Sequence, residues 1–203
     1  ELRRRRPHVQ ILIGTHHVTE LLDADSVGVN ALLTALAQEL GVNYILTTEV
    51  APWARGTVRE LDIARRLAAY SRARGVFPKN LEDRLLVVKD RRVARYTLAE
   101  LRALQRQVRD PNYRIFVTDD RICVFNAERF VPGVDIQEIF AQLDVDEATH
   151  AFYLGRELTK AHLALVLGKA YMQEQSLDWG YLTPPAPPPR HVKLTQRKRR
   201  GRA

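Results

Sequence analysis

His16 and His17 are adjacent, and they follow, one residue on, a short apolar run, "VQILIG", that ends at Gly14. Acids come next at Glu20, Asp23 and Asp25, with Ser26 behind them. Imidazoles at the end of a strand can exchange protons near neutral pH or hydrogen-bond the edge of a heterocycle. Metal ligation suits them less, because neighbouring residues on an extended segment point apart. Neither His-x-His nor His-Glu-x-x-His spacing occurs either. The plainer reading, polar residues closing a strand, stays open beside ligand contact. Glu20 is a candidate acid/base or ring-nitrogen partner. Asp23 and Asp25 could hold a divalent ion such as Mg2+ through hard oxygens. With Ser26 they could equally cap the helix that follows, and capping is the simpler expectation.

Further chemistry-bearing residues lie downstream. Asn30, one turn into that helix, could face a ligand or serve packing. Thr47, Thr48 and Glu49 end a second apolar run, "NYILTTEV". Arg55 and Arg59 flank Gly56 and Thr57 at a predicted helix start, where backbone N–H groups and arginines together suit a phosphate. Solvated surface arginines are the alternative. His150, Tyr153, Glu157, Lys160 and Lys169 form a third set. Glu157 and Lys160 are three apart on a helix and most simply make an exposed ion pair. Tyr153 and Trp179 read as packing residues, and Cys123 as a small buried hydrophobe.

The elements that must position these groups follow from periodicity. Val9–Gly14 and Tyr44–Val50 read as strands covered on both faces, as in a parallel sheet. Between them Val29, Leu32, Leu33, Leu36 and Leu40 recur at helical spacing, which predicts a helix with that stripe inward. A second helix is expected over 57–73, with Val58, Leu61, Ile63, Ala64 and Leu67 inward and Gly75 ending it. This β-α-β-α order is most economically a parallel α/β sheet. Two strands cannot bury their faces alone, so residues 9–77 read as the last units of a larger α/β fold. The Arg-rich start without methionine fits a truncated chain.

From 78 to 182 the pattern becomes α+β. A strand is expected at 84–90, and a helix at 97–108 opened by a Thr97/Glu100 capping box. A hairpin should turn near Asp119 and Asp120. A short helix within 134–143 and a long one from about 149 follow, the latter with Leu154, Leu158, Ala161, Leu165 and Gly168 on one stripe. Residues 183–203 read as a Pro-rich linker and a basic, disordered tail, and residues 1–8 as a basic leading segment.

Composition bounds the rest. The chain has 203 residues, 45% hydrophobic and 28% charged, which suits a globular protein with a sizeable core. One cysteine excludes a disulfide framework and a cysteine zinc cluster, and with no signal-peptide pattern this fits a reducing cytoplasm. No apolar run approaches the roughly 18 residues needed to span a membrane. The net charge of +8 is located at the ends: residues 1–6 carry +3 and the stretch 190–202 carries +7, leaving the body near −2. That is not the folded basic face of a nucleic-acid reader. Weak, salt-dependent nucleic-acid contact through the tail is the remote alternative.

The segments "GTHHVTELLDADSVGVNALL", "ELGVNYILTTEVAPWARGTVRELDIARRL" and "HAFYLGRELTKAHLALVLGKAYMQEQSLDWG" resemble the C-terminal part of dihydropteroate-synthase-like, pterin-binding proteins. More narrowly, they are similar to the branch associated with tetrahydromethanopterin-linked one-carbon genes. The resemblance covers about residues 9–182. It implies a TIM (β/α)8 barrel of which this chain supplies the seventh and eighth β/α units, followed by a smaller α+β domain. Ligands would occupy the C-terminal mouth, where the βα loops converge. Thr15, His16, His17, Asn30 and Thr48 would then bind ligand, Arg55 and Arg59 phosphate, and His17, Glu20 and Glu49 would be the catalytic candidates.

The implied reaction joins a pterin-methyl unit to an arylamine with loss of pyrophosphate, a transferase of one-carbon cofactor biosynthesis. Pterin and arylamine are the implied partners, and a homodimer is the assembly to test for. The chain departs from the pattern at two places. Thr15, His16 and His17 stand where synthases carry Ser-Arg-Lys, and Thr47, Thr48 and Glu49 where they carry Arg-Val-His. Within the narrower branch, His16 and His17 replace Gly and Asn. Losing these cations removes groups that would stabilise a departing pyrophosphate. A non-catalytic pterin-binding or assembly partner is therefore the second expectation.

Overall fold

The computed structural model describes residues 1–183, so the expected Pro-rich linker and basic tail lie outside the described residues from 184 onward. Two strands open the fold, β1 (Leu12–Gly14) and β2 (Tyr44–Leu46), paired in parallel with Leu12 opposite Tyr44 and Gly14 opposite Leu46. Short helices α1 (Leu2–Arg5) and α2 (His16–Thr19) flank β1, and α3 (Ser26–Glu39) is the crossover to β2. A 3-10 turn (Pro52–Ala54) then leads into α4 (Thr57–Arg74), which ends at Gly75 as its spacing predicts. Arg3 fastens the leading segment by donating to the carbonyls of Val9 and Gly41.

Helices α3 and α4 pack side by side, but not through the leucines. The residues of α3 that become buried are Ser26, Asn30, Thr34 and Ala37, while Leu32, Leu36 and Leu40 stay 63, 50 and 66% exposed. The period expected for this helix is right and its inward face is the opposite one. The reason lies in α4, where Glu60 is 1% exposed and needs polar partners. On α4 the buried residues are Thr57, Glu60, Leu61, Ile63, Ala64 and Ser71, and Val58 is exposed.

The segment 84–90, expected as a strand, is irregular. Among the described residues it has no strand to pair with; instead the buried Lys169 ammonium donates to the Val87 carbonyl at 3.0 Å. Beyond it, α5 (Leu98–Gln105) opens with the predicted capping box: Glu100 N–H donates to Thr97 Oγ1 and Thr97 N–H to the Glu100 carboxylate. A second, antiparallel sheet follows in the order β3 (Arg114–Val117), β4 (Ile122–Phe125), β5 (Phe130–Gly133). The β3–β4 hairpin turns at Asp119 and Asp120 as expected. Cys123 is fully buried on β4, and burial pushes its thiol up to about 11.

Helices α6 (Ile136–Phe140) and α7 (Ala148–Leu167) cover one face of this sheet. The core there holds Ile115, Val117, Ile122, Val124, Val131, Ile139, Leu154, Leu158 and Ala161. On the other face Phe116, Phe125 and Phe130 stack in a row at centroid spacings of 5.4 and 5.5 Å, with Leu101 of α5 packed on them.

Each edge of this sheet carries an obstacle to further pairing. On the β3 edge, Ile115 N–H donates to the Gln173 side-chain carbonyl at 2.9 Å, and the Gln173 amide donates to Tyr113 O at 3.1 Å. On the β5 edge, Pro132 stands opposite Cys123. The Asn126 N–H to Arg129 O bond sets the hydrogen-bonding alternation, which turns the Pro132 nitrogen outward, where it offers no N–H.

Candidate functional site

The carboxyl ends of β1 and β2 carry the two segments singled out by sequence, and the structure ties them together. Thr15 is 1% exposed, and both its N–H and its hydroxyl donate to the Leu46 carbonyl, at 2.9 and 3.3 Å. His16 and His17 form the first residues of α2, a single turn above the strand end. Their rings lie 3.9 Å apart at an interplanar angle of 37°, and they fold back over Gly14. A Cβ on Gly14 would lie 2.8 Å from His17 Nδ1 and 2.9 Å from His16 Cε1, so the absent side chain there makes room for the pair. His16 Nδ1 lies 3.5 Å from Leu46 O, and His17 is exposed.

Glu20 joins the two loops. Its Oε1 accepts from Thr48 Oγ1 at 2.9 Å and Val50 N–H at 2.8 Å, and its Oε2 accepts from Ala51 N–H at 2.6 Å. These donors, the Val50 N–H first, hold the carboxyl below its usual range against a smaller effect of desolvation. Beside it the Trp53 indole N–H donates to the Thr19 carbonyl at 2.9 Å.

Glu49 is engaged too. Its carboxylate accepts from the N–H of Val58 at 3.0 Å, in the first turn of α4, and so supplies an anion to the helix start. Arg55 is exposed nearby, while the Arg59 guanidinium lies 5.7 Å from the centroid of the Tyr181 ring. Asp23 and Asp25 are exposed in the loop. Asp25 is the N-cap of α3 without a side-chain cap bond, and Ser26 turns its hydroxyl to Glu60, so the expected capping is replaced. Among the described residues, no three His, Cys, Asp or Glu side chains gather to hold a metal.

Asn30 is fully buried between α3 and α4. Its amide donates to Glu60 Oε2 at 2.7 Å and, at 3.4 Å, to Thr57 Oγ1. Glu60 also accepts from Ser26 Oγ at 2.8 Å and from the Tyr181 hydroxyl at 2.6 Å. Tyr181 belongs to a final 3-10 turn (Gly180–Leu182), and burial together with the Glu60 carboxylate pushes its phenol well above the ordinary value. Gly56 takes φ 98°, and a Cβ there would lie 2.7 Å from the Tyr181 hydroxyl. One carboxylate therefore links the first turns of both helices, each immediately behind a loop, to the end of the second region. Glu60, Tyr181 and Trp53 were not among the residues that spacing singles out. The one local signal was an acid at an inward position of a helix start.

Of the third set, Glu157, Lys160 and Lys169 are tied into the packing of the second region. Glu157 is fully buried, not half of an exposed pair, because residues 171–174 fold back over it. It accepts from Lys160 Nζ at 2.7 Å, and from the Tyr171 hydroxyl and the Glu174 N–H at 3.1 Å each. Burial works against its charge, but these donors outweigh it and the carboxyl stays below its usual value. Lys169, also fully buried, donates to Asp90 Oδ1 at 2.9 Å and lies 4.9 Å from the centroid of the Trp179 ring.

The arrangement defines an α/β protein with two consecutive parallel β/α units whose loops share one rim, followed by an α+β region. Residues 135–174 match the family model described as PterinBD-DUF4346. Over 195 residues the chain is 31% identical to the uncharacterised protein MJ0107 of Methanocaldococcus jannaschii, an alignment covering 86% of this chain and 37% of that protein. The chain thus spans little more than a third of the length of the relative it matches. No solved structure matches it. No helix among the described residues is long and apolar enough to cross a membrane.

Proposed function

We propose that the joined loops after β1 and β2 form part of the rim of a pterin-binding mouth, in a protein of one-carbon cofactor metabolism. The observation that carries this is the rim itself. Two parallel strands end side by side, their loops are fixed to each other through Thr15, Glu20 and Trp53, and the two histidine rings stand over the strand ends. The pterin-binding description of the matched family supplies the ligand class. Its match, residues 135–174, lies within the second region, and Tyr181, a few residues beyond it, reaches Glu60 behind the rim.

The same reading makes these two units the end of a β/α barrel. Leu12, Tyr44 and Leu46 leave one face of the β1–β2 sheet about half exposed, and the leucines of α3 are equally uncovered. Further β/α units would cover both, each half-exposed leucine so buried contributing about 1–2 kcal/mol. In the transferase form of this function, the mouth joins a pterin-methyl unit to an arylamine with loss of pyrophosphate. His17 would face the pterin and Arg55 the leaving group.

A specific observation favours a second form, a pterin holder without turnover. Glu49 places a carboxylate at the start of α4, where a departing pyrophosphate would otherwise find N–H donors. The complete protein should bind 6-hydroxymethyl-7,8-dihydropterin in calorimetry, and absence of heat would refute the function. Turnover of the corresponding pyrophosphate with p-aminobenzoate separates the two forms: product identifies the transferase, and binding without product the holder.

A further inference from the structure

We propose that Glu20 is a positioning residue, whose carboxylate assembles the loops after β1 and β2 into one rim and thereby sets where His16 and His17 stand. Its role at the mouth rests on the pterin reading; the loop assembly does not. Every cross-loop contact converges on a short stretch. Thr15 anchors the start of α2 on Leu46, Glu20 anchors its end on Thr48, Val50 and Ala51, and the Trp53 indole closes on Thr19 between them. The backbone joins these anchors to the histidines, since Glu20 N–H donates to the His16 carbonyl at 2.8 Å and closes the single turn.

An isolated turn of this length does not hold itself together. Its conformation depends on its two ends, of which Glu20 is one. A proton-transferring role fits this carboxyl poorly, because backbone and hydroxyl donors already engage both of its oxygens. The Val50 N–H is exposed and the Ala51 N–H part-buried, and among the described residues Glu20 is the acceptor that holds both.

Glu20→Gln tests this in the full chain, because the amide keeps the shape and sets an N–H against one of the two backbone N–H groups. Glu20→Ala, which removes the side chain, is the second variant. The readout is the Trp53 indole N–H signal in a nitrogen-15 spectrum, assigned by Trp53→Phe, together with the ring signals of His16 and His17. Both variants should shift the Trp53 indole and both histidines and speed indole exchange with solvent, while leaving the Trp179 indole in place. Affinity for 6-hydroxymethyl-7,8-dihydropterin should fall about tenfold in Glu20→Gln and further in Glu20→Ala, as expected for one charge-assisted hydrogen bond lost or reversed.

An unmoved Trp53 indole in both variants would overturn the loop assembly. A moved indole with unchanged pterin affinity would overturn the positioning role. Lost turnover with intact affinity and unmoved rings would make Glu20 a direct acid or base instead. If the unsubstituted protein binds no pterin, the proposed function fails, and the indole and histidine signals alone decide the loop assembly.

Discussion

Removing one hydroxyl tests whether the second region is fastened to the β/α units in the way described. In Tyr181→Phe the ring remains against Gly56, and only the 2.6 Å bond to Glu60 is lost. Glu60 is 1% exposed and, among the described residues, has no cation bonded to it, so water cannot readily replace the phenol. A hydrogen bond to a charged group contributes about 1.5–3 kcal/mol. For a domain of this size about 2–4 °C accompanies each kcal/mol, so the midpoint should fall by roughly 3–12 °C. Thermal and urea unfolding of the full chain measure this directly. A double-mutant cycle with Glu60→Ala should return a coupling of about 1 kcal/mol or more between the two positions. A change within about 0.5 kcal/mol for Tyr181→Phe would refute the reasoning, because the carboxylate would then be satisfied without the phenol.

Other outcomes follow from particular contacts. Lys169→Met leaves Asp90 without its buried partner and frees the 84–90 segment; guanidinium unfolding should show a loss of about 3–5 kcal/mol. Gly14→Ala pushes a methyl into the two flexible imidazoles, so stability should change little while the His16 and His17 ring signals shift in proton spectra. Acid should weaken the fold in a defined window. Arg84, Arg114 and Arg121 hold Glu82, Asp110 and Asp120 at about 2, below their unfolded values. Their contribution is thus present above about pH 4 and lost as the pH falls through about 2. The melting midpoint should decline over that interval, and less so in the combined Glu82→Gln, Asp110→Asn, Asp120→Asn variant.

Much of the fold was legible in the sequence, and the failures share a cause. Local signals succeeded where the partner is local: the capping box at Thr97, the hairpin at Asp119 and the stop at Gly75 each depend on a few neighbouring residues. The spacing of Leu32, Leu36 and Leu40 identified α3 as a helix but not its packed face. That face is chosen by Glu60, thirty-four residues beyond Ser26, and Glu60 is chosen in turn by Tyr181. The run "RLLVVKD" has strand composition, yet a strand requires a neighbour, and Lys169 takes its carbonyl instead. Glu157 and Lys160 do pair as their spacing suggests; only the return of residues 171–174 makes the pair buried. At the candidate site, sequence placed the loops after the two strands side by side, as they are in the structure. It could not assign roles within them, because Glu20 and Glu49 look alike as exposed acids until the N–H groups they accept from are known.

Gln173 and Pro132 each set an obstacle on one edge of the second sheet. A foreign strand approaching β3 meets a side-chain amide already seated on the Ile115 and Tyr113 backbone, and one approaching β5 meets an imide nitrogen with nothing to donate. The β1–β2 pair carries no such stop on either flank among the described residues. Strand recruitment, whether from elsewhere in a longer polypeptide or from a second molecule, is thereby steered to one sheet. Such recruitment would extend the sheet beside the histidines, away from the finished surface of the second region.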